Sequence, residues 1–233
     1  MSVSLDKAIR LWDIGQKSKP IDIQQTQDFI TALDYLAPSG RKLVVGFATG
    51  QCSLYTCDDV GRLNYSTRID CKNRRGKFSS GRRVSGVKFV GKGNEILIST
   101  NDSRLRLFNL DDYIQKYKYK GHKSENLPIE ACVSENMDYI VSGSEDGNVY
   151  LWDCICDHVA PVVSAKVGGK LMTSAPFHKD DRIKSYEFFT PFSDEQPRIE
   201  VPVAIFAPNE TVKLQQIKYH KLPNNDTNMV PSV

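Results

Sequence analysis

Ser144-Glu145-Asp146-Gly147-Asn148-Val149-Tyr150-Leu151-Trp152-Asp153 decides the fold, because two other stretches align with it without a gap. They are Ser4-Leu5-Asp6-Lys7-Ala8-Ile9-Arg10-Leu11-Trp12-Asp13 and Thr100-Asn101-Asp102-Ser103-Arg104-Leu105-Arg106-Leu107-Phe108-Asn109. In each, an Asp stands six residues before an aromatic. A degenerate fourth copy, Ala48-Thr49-Gly50-Gln51-Cys52-Ser53-Leu54-Tyr55, has Thr49 where the others have Asp. The aromatics fall at 12, 55, 108 and 152, at intervals of 43, 53 and 44 residues. A period of that size marks a repeat architecture rather than a single folded core.

Working outward from each copy, a short apolar, β-branched run precedes the Asp turn: 42–46, 95–99 and 139–143. Upstream of these lies a further strand candidate, at 30–33, 84–87, 129–132 and 201–204. The runs end at Gly, Ser, Asn and Asp clusters, and helical periodicity is almost absent. The expectation is an all-β chain of small antiparallel sheets. One such sheet cannot cover both of its own faces, but sheets packed side by side can.

Ser142-Gly143-Ser144-Glu145-Asp146 followed by Trp152-Asp153, with Gly121-His122 upstream, resembles a blade of the WD-repeat β-propeller family. The resemblance implies a structural hydrogen-bond network of His122, Ser142, Asp146 and Trp152. In it the Asp accepts from the His, the His reaches the Ser hydroxyl, and the Ser meets the indole N–H. Such a network is favourable only when each buried polar member is paired. Elsewhere Tyr55 and Phe108 replace Trp, and no Gly-His dipeptide precedes the second or third copy.

A closer likeness rests on Gly81-Arg82-Arg83-Val84-Ser85-Gly86, Asn101-Asp102-Ser103-Arg104 and Phe206-Ala207-Pro208-Asn209. These runs are similar to those of WD-repeat scaffolds on recycling endosomes that bind a Rab-type small GTPase. That resemblance implies a non-enzymatic interaction scaffold in vesicle traffic, cytoplasmic and peripheral on endosomal membranes. In those scaffolds the Rab-binding segment precedes the propeller, so it is expected to be absent from this chain. The alternative is a generic WD-repeat scaffold, such as the substrate receptor of a ubiquitin ligase. Receptors of that class carry an Arg two residues after the Asp of a Trp-Asp pair; here those positions are Gly15 and Ile155.

The expected organisation is an incomplete propeller of about four blades in an open arc over residues 1–209. Blades are expected to end near 13, 58, 111 and 153, with an insertion at 154–200 and an unstructured tail at 210–233. Tyr186-Glu187-Phe188-Phe189 is the insertion's best strand candidate, and disorder is expected near 179–182.

The charge pattern singles out one segment. Between residues 71 and 83 stand Lys72, Arg74, Arg75, Lys77, Arg82 and Arg83, with no acidic residue. The spacing places this run in a loop at one rim of a sheet. A solvated connection is the plain reading. The functional alternatives are an acidic protein partner, anionic lipid headgroups or RNA, since clustered cations raise the local potential. A single aromatic, Phe78, is too little for stacking along a single strand, and no specific nucleic-acid partner is expected. Lys116-Tyr117-Lys118-Tyr119-Lys120 alternates as a strand with lysines on one face, the pattern of a protected sheet edge.

The remaining classes are excluded on composition. The chain has 233 residues, 25% charged and 40% hydrophobic, with a net charge of +3. That is ordinary for a globular protein and too weakly basic for wholesale nucleic-acid binding. The longest apolar runs fall far short of the roughly 20 residues of a membrane span. Cys154-Ile155-Cys156 invites a zinc reading, but a site needs two ligand pairs and none follows. Register makes Cys52 and Cys132 apolar core positions. No nucleophile set, phosphate-cradling loop or carboxylate pair stands out, so no enzyme activity, metal or cofactor is expected.

Overall fold

A computed structural model of the chain describes residues 1–4, 6–13, 15, 19–36, 41–73, 81–134, 137–154 and 161, and the strand backbones at 163–166, 198–205, 213–221 and 229–231. Among these residues there is no helix. Five antiparallel sheets follow one another along the chain. The first contains β1 (Ser2–Val3), β2 (Ala8–Leu11) and β3 (Asp22–Gln25). The second runs β4 (Ile30–Leu36), β5 (Lys42–Phe47), β6 (Gln51–Cys57) and β7 (Leu63–Asp70). The third runs β8 (Val84–Val90), β9 (Glu95–Thr100), β10 (Arg104–Asn109) and β11 (Gln115–Tyr119). The fourth runs β12 (Ala131–Val133), β13 (Tyr139–Ser142), β14 (Asn148–Asp153) and β15 (Val163–Lys166). The fifth holds β16 (Arg198–Ile205), β17 (Lys213–Lys221) and β18 (Met229–Pro231). The chain divides into two compact units, residues 1–118 and 119–233.

The repeat predicted from sequence is thus a repeat of sheets, with two differences. First, the expected blade ends near 13, 58 and 111 close only the last strand but one of a sheet. An outermost strand, β3, β7 or β11, lies beyond each. Asp22-Ile23-Gln24-Gln25 and Leu63-Asn64-Tyr65-Ser66 are half polar, because an edge strand buries only part of one face. Second, the stretches expected to be an insertion at 154–200 and a tail at 210–233 contain strands: β15 and the start of β16 in the former, β17 and β18 in the latter. Residues 179–182 and 186–189 lie outside the described residues.

The hairpin turns ahead of β2, β6, β10 and β14 end alike. The last turn residue is left-handed: Lys7 (φ 63°), Gly50 (φ 81°), Ser103 (φ 59°) and Gly147 (φ 83°). A type I turn followed by one left-handed residue is the usual three-residue hairpin connection. The middle position is Asp6, Thr49, Asp102 or Asp146, which explains why an Asp precedes the aromatic at a fixed interval.

In the first unit the sheets pack face to face. Ile9 of the first sheet meets Ile30, Leu43, Val45, Phe47, Tyr55 and Leu63 of the second. On the opposite face of the second sheet, Val44, Cys52, Leu54 and Ile69 pack with Val84, Val87, Ile96, Ile98 and Phe108 of the third. Alternate residues of β5 therefore serve two cores, as the period of two along a strand requires. Polar bonds fix the register between sheets. The Thr31 hydroxyl donates to the Val84 carbonyl at 2.6 Å, and the Phe89 N–H donates to Asp34 Oδ2 at 2.7 Å.

Gly46 lets β5 approach β8: a Cβ there would stand 2.9 Å from Val84 Cβ and closer still to Cγ1. Both sides of that contact are within the close-packed core. Gly46→Ala is expected to cost about 1–3 kcal/mol, the usual penalty of overpacking. Urea denaturation of the two proteins measures it; equal midpoints would mean that the sheets do not meet at this position.

Candidate functional site

In the second unit, Trp152 has no solvent exposure and gathers a cluster of rings. His122 meets it edge-on at 5.5 Å between centroids, Tyr150 stacks at 6.0 Å, and Tyr119 lies tilted at 6.3 Å. His122, Ser142 and Trp152 are buried, as the resemblance implied, but the wiring differs from the expected network. The indole N–H donates to the Lys120 carbonyl at 2.9 Å. It has one proton, so the expected link to Ser142 is not made. The Ser142 hydroxyl instead donates to the Gly143 carbonyl at 2.9 Å. Asp146 is exposed at the tip of its turn and accepts the Tyr150 hydroxyl at 2.6 Å and the Asn148 N–H at 3.0 Å.

That bond is the local form of a general one. In three sheets the turn Asp is bonded by the side chain four residues on, which points to the same face of the following strand. Arg10 pairs with Asp6 in the open. Arg106 pairs with Asp102 at 2.5 Å, with side chains 1% and 4% exposed. The buried pair has company. Asn73 donates to Asp102 Oδ2 at 2.6 Å and accepts from Arg106 at 3.0 Å and from Lys118 at 2.5 Å. Thr100 bonds both Asp102 and Arg106. Burial pushes the Asp102 carboxyl up, but Arg106, Thr100 and Asn73 together hold it below the ordinary carboxylate range. A fully hydrogen-bonded pair of this kind is the one arrangement in which a buried charge is tolerated.

Asn73 belongs to the basic run, so this network roots the run in the core. At the other end of the loop the Asn101 N–H donates to the Arg83 carbonyl at 2.9 Å. The two stems converge on the Gly50 turn. A Cβ on Gly50 would stand 2.8 Å from the Arg82 carbonyl, and one on Gly81 would stand 3.1 Å from Lys72 Cε. Lys72, Arg82 and Arg83 are exposed, and Lys72 lies 3.6 Å from Asp70. Arg74, Arg75 and Lys77 lie outside the described residues. β11 lies at the edge of its sheet, as its lysines suggested; Lys116 pairs with Glu95, and Lys118 reaches Asn73. Tyr119 is buried, its hydroxyl on the Cys154 carbonyl at 3.0 Å.

Sequence reasoning missed Asn73, Thr100 and Arg106. An Arg two residues before the repeat aromatic was the available signal, since the same position carries Tyr150 in the fourth sheet. It also missed Glu145. Its carboxylate accepts the N–H groups of Glu125, Asn126 and Leu127 at 2.8, 2.6 and 2.9 Å. Burial pushes this carboxyl up, but the three N–H groups outweigh burial and hold it below its ordinary range. Among the cysteines, Cys52 and Cys71 are buried and Cys132 is half-buried. Burial beside Cys71 raises the Cys52 thiol well above its ordinary value, which leaves it an inert core group. Cys154 is buried; Ile155, Cys156 and His158 lie outside the described residues. Among the described residues no group of His, Cys, Asp and Glu has the makings of a metal site.

The same turn Asp therefore carries different weights. Asp102→Ala is expected to cost about 3–5 kcal/mol, because it strands a buried Arg106. Asp146→Ala is expected to cost about 0.5–1 kcal/mol, as its bonds are half in water, and Asp6→Ala less than either. Chemical denaturation ranks the three; an Asp146 loss equal to that of Asp102 would contradict the burial difference. Glu145 supplies a pH test. Its folded value lies below its unfolded one. Its contribution is therefore complete above the ordinary glutamate value of about 4.3 and is lost as pH falls through the lower folded value. Glu145→Gln is expected to lose about 1–2 kcal/mol at pH 7, a deficit that closes as pH falls through the lowered folded value. A pH-independent difference would mean that the carboxylate's charge plays no part.

Comparison with known proteins agrees with this geometry. Residues 114–153 match the WD domain, G-beta repeat, which covers β11 to β14. WD repeat-containing protein 44 of Xenopus laevis is 37% identical over 159 residues, 67% of this chain and 17% of that protein. WD repeat-containing protein 82 of Drosophila melanogaster is 28% identical over 84% of this chain and 60% of its own length. WD repeat domain-containing protein 83 of Homo sapiens is 34% identical over 42% of this chain and 30% of its own. The chain thus spans less than two thirds of each of these relatives. With a matched WD repeat set in a series of small antiparallel sheets, and WD-repeat proteins as its relatives, the chain is a WD-repeat protein.

Proposed function

We propose that this chain is a non-enzymatic scaffold that meets an acidic protein partner through the rim where Lys72, Arg82 and Arg83 emerge, and that it serves Rab-linked vesicle traffic as a cytoplasmic protein peripheral on endosomal membranes. WD-repeat proteins are in general interaction scaffolds, and the likeness to WD repeat-containing protein 44 extends over two thirds of the chain. The observation that carries the rim is its anchorage. Asn73 at one stem and the Arg83 carbonyl at the other are bonded into the third sheet, which holds exposed cations at a fixed place. The sequence between the stems adds three more cations and no carboxylate. Fixed charges of one sign steer an oppositely charged partner and raise its association rate.

The test is capture from cell extract on the immobilised chain, wild type against Arg82→Glu with Arg83→Glu. A vesicle-traffic protein with an acidic surface, retained by the wild type and reduced at least tenfold by charge reversal, is the expected outcome. Capture of ubiquitin-ligase adaptor subunits in its place would favour the receptor reading. A second reading, contact with anionic lipid, follows from the same cations, each worth roughly 1 kcal/mol near an anionic bilayer. It predicts sedimentation with phosphatidylserine vesicles but not with phosphatidylcholine, fading as salt shortens the Debye length to about 8 Å.

A further inference from the structure

The rim that carries the cations also carries an aromatic, and the two are joined by an unbroken series of contacts. Phe29 is 51% exposed. It stands at a repeated position, the residue whose carbonyl accepts an N–H from the hairpin turn of its own sheet. Phe29 accepts from Ala48 at 3.0 Å, as Arg83 accepts from Asn101 and Lys123 from Glu145, each at 2.9 Å. Two of these three positions are basic; Phe29 is the apolar one.

Its surroundings hold it still. The Thr26 hydroxyl donates to the Asp28 carbonyl at 3.0 Å, and the Thr49 hydroxyl to Asp28 Oδ2 at 3.3 Å. The Lys7 ammonium sits 4.7 Å from the ring centroid while donating to the Gln27 carbonyl at 2.9 Å. One side of the ring is thus taken by a cation, and half of its surface is left to solvent. From Ala48 the surface continues through Thr49 and Gly50 to Gly81, Lys72 and Arg82, which close on that turn. Lys7, Phe29, Lys72, Arg82 and Arg83 therefore share one rim of the first unit. The carboxylates there are committed: Asp6 to Arg10, Asp70 beside Lys72, and Asp28 to Thr49.

We infer that this rim binds an acidic peptide segment carrying one large apolar side chain, which lies against Phe29 while its carboxylates meet Lys72, Arg82 and Arg83. The inference rests on the reading of this rim as a contact surface and adds the class of partner. A preformed aromatic in a cationic setting fits a binding anchor, since little is lost in ordering it. It suits a peptide better than a bilayer. A membrane plug must stand clear of its neighbours, whereas this ring is half-covered and flanked by Asp28 and Lys7. A peptide can place its own N–H groups against Asp28, while a lipid headgroup layer meets that carboxylate as like charge.

Fluorescence polarisation of the full chain tests this with two labelled glutamate-rich hexapeptides that differ in one central residue, Phe or Ala. Wild type is expected to bind the Phe peptide about tenfold more tightly than the Ala peptide, a difference of about 1.4 kcal/mol. Phe29→Ala abolishes that preference, whereas Phe29→Leu keeps most of it. Arg82→Glu with Arg83→Glu weakens both peptides together. Thermal melting of each variant checks that it is folded. Equal wild-type affinities for the two peptides would overturn the inference while leaving the charged rim in place. No binding of either peptide at low salt would overturn the rim reading itself. Phosphatidylserine vesicles that bind tightly, and are released by Phe29→Ala, would assign the surface to lipid and overturn the peptide.

Discussion

The structure depends on one backbone hydrogen bond, made three times. The N–H of Ala48, Asn101 or Glu145, at the start of a hairpin turn, reaches the carbonyl of the chain segment that leads into the same sheet. It ties the entry of the innermost strand to the turn between its second and third strands. Each sheet is thereby closed on itself at one rim, although its faces must still be covered by neighbours. A buried backbone donor left without such a partner would cost as much as a lost hydrogen bond, so the turn and the entry loop cannot drift apart. Whatever emerges from that loop, whether Phe29, Arg83 or Lys123, is presented from a fixed base.

The turn carboxylate is the second constraint, and it shows how one sequence position acquires different energies. Asp6, Asp102 and Asp146 stand at equivalent places and each takes a donor four residues on. Arg10 and Asp6 remain in water, where attraction is screened and entropy opposes it. Arg106 and Asp102 are covered by Asn73, Thr100 and Lys118, and there desolvation is offset only because each acceptor and donor finds a partner. Tyr150 and Asp146 lie between. The cover, not the pair, sets the value, and the cover of Asp102 is Asn73, a residue of the loop that follows β7.

This is also why the repeat was legible in the sequence and the site largely was not. Strand runs such as Lys42–Gly46 and Glu95–Ser99 announce themselves by β-branched residues between turn signals, and the structure has β5 and β9 there. The Asp-to-aromatic interval was read correctly because both residues lie within one hairpin, where spacing is geometry. The outermost strands escaped because an edge strand such as Leu63–Asp70 mixes polar and apolar residues and carries no clean alternation. The wiring around Trp152 escaped for another reason. Which acceptor the indole N–H meets depends on the path of the chain at Lys120, whose carbonyl takes it in place of the Ser142 hydroxyl that the family pattern suggests. Partners that are far apart in sequence, like Asn73 and Arg106, leave no local periodicity at all.

Long-range polar contacts of this kind tie the recognition surface to the core. The exposed cations of the rim stand on stems that end in a buried ion pair on one side and a backbone bond on the other. Bonded stems hold Lys72, Arg82 and Arg83 at a defined place, so less entropy remains to be lost when they meet a partner. Phe29 reaches the same condition by another route, through Lys7 and a turn of the second sheet. The side chains of Phe29, Arg83 and Lys123 can therefore differ from repeat to repeat, since the bond that ties each of these positions to its turn is made by its carbonyl. Variation at the rim with constancy beneath it is what lets one repeat support unlike partners.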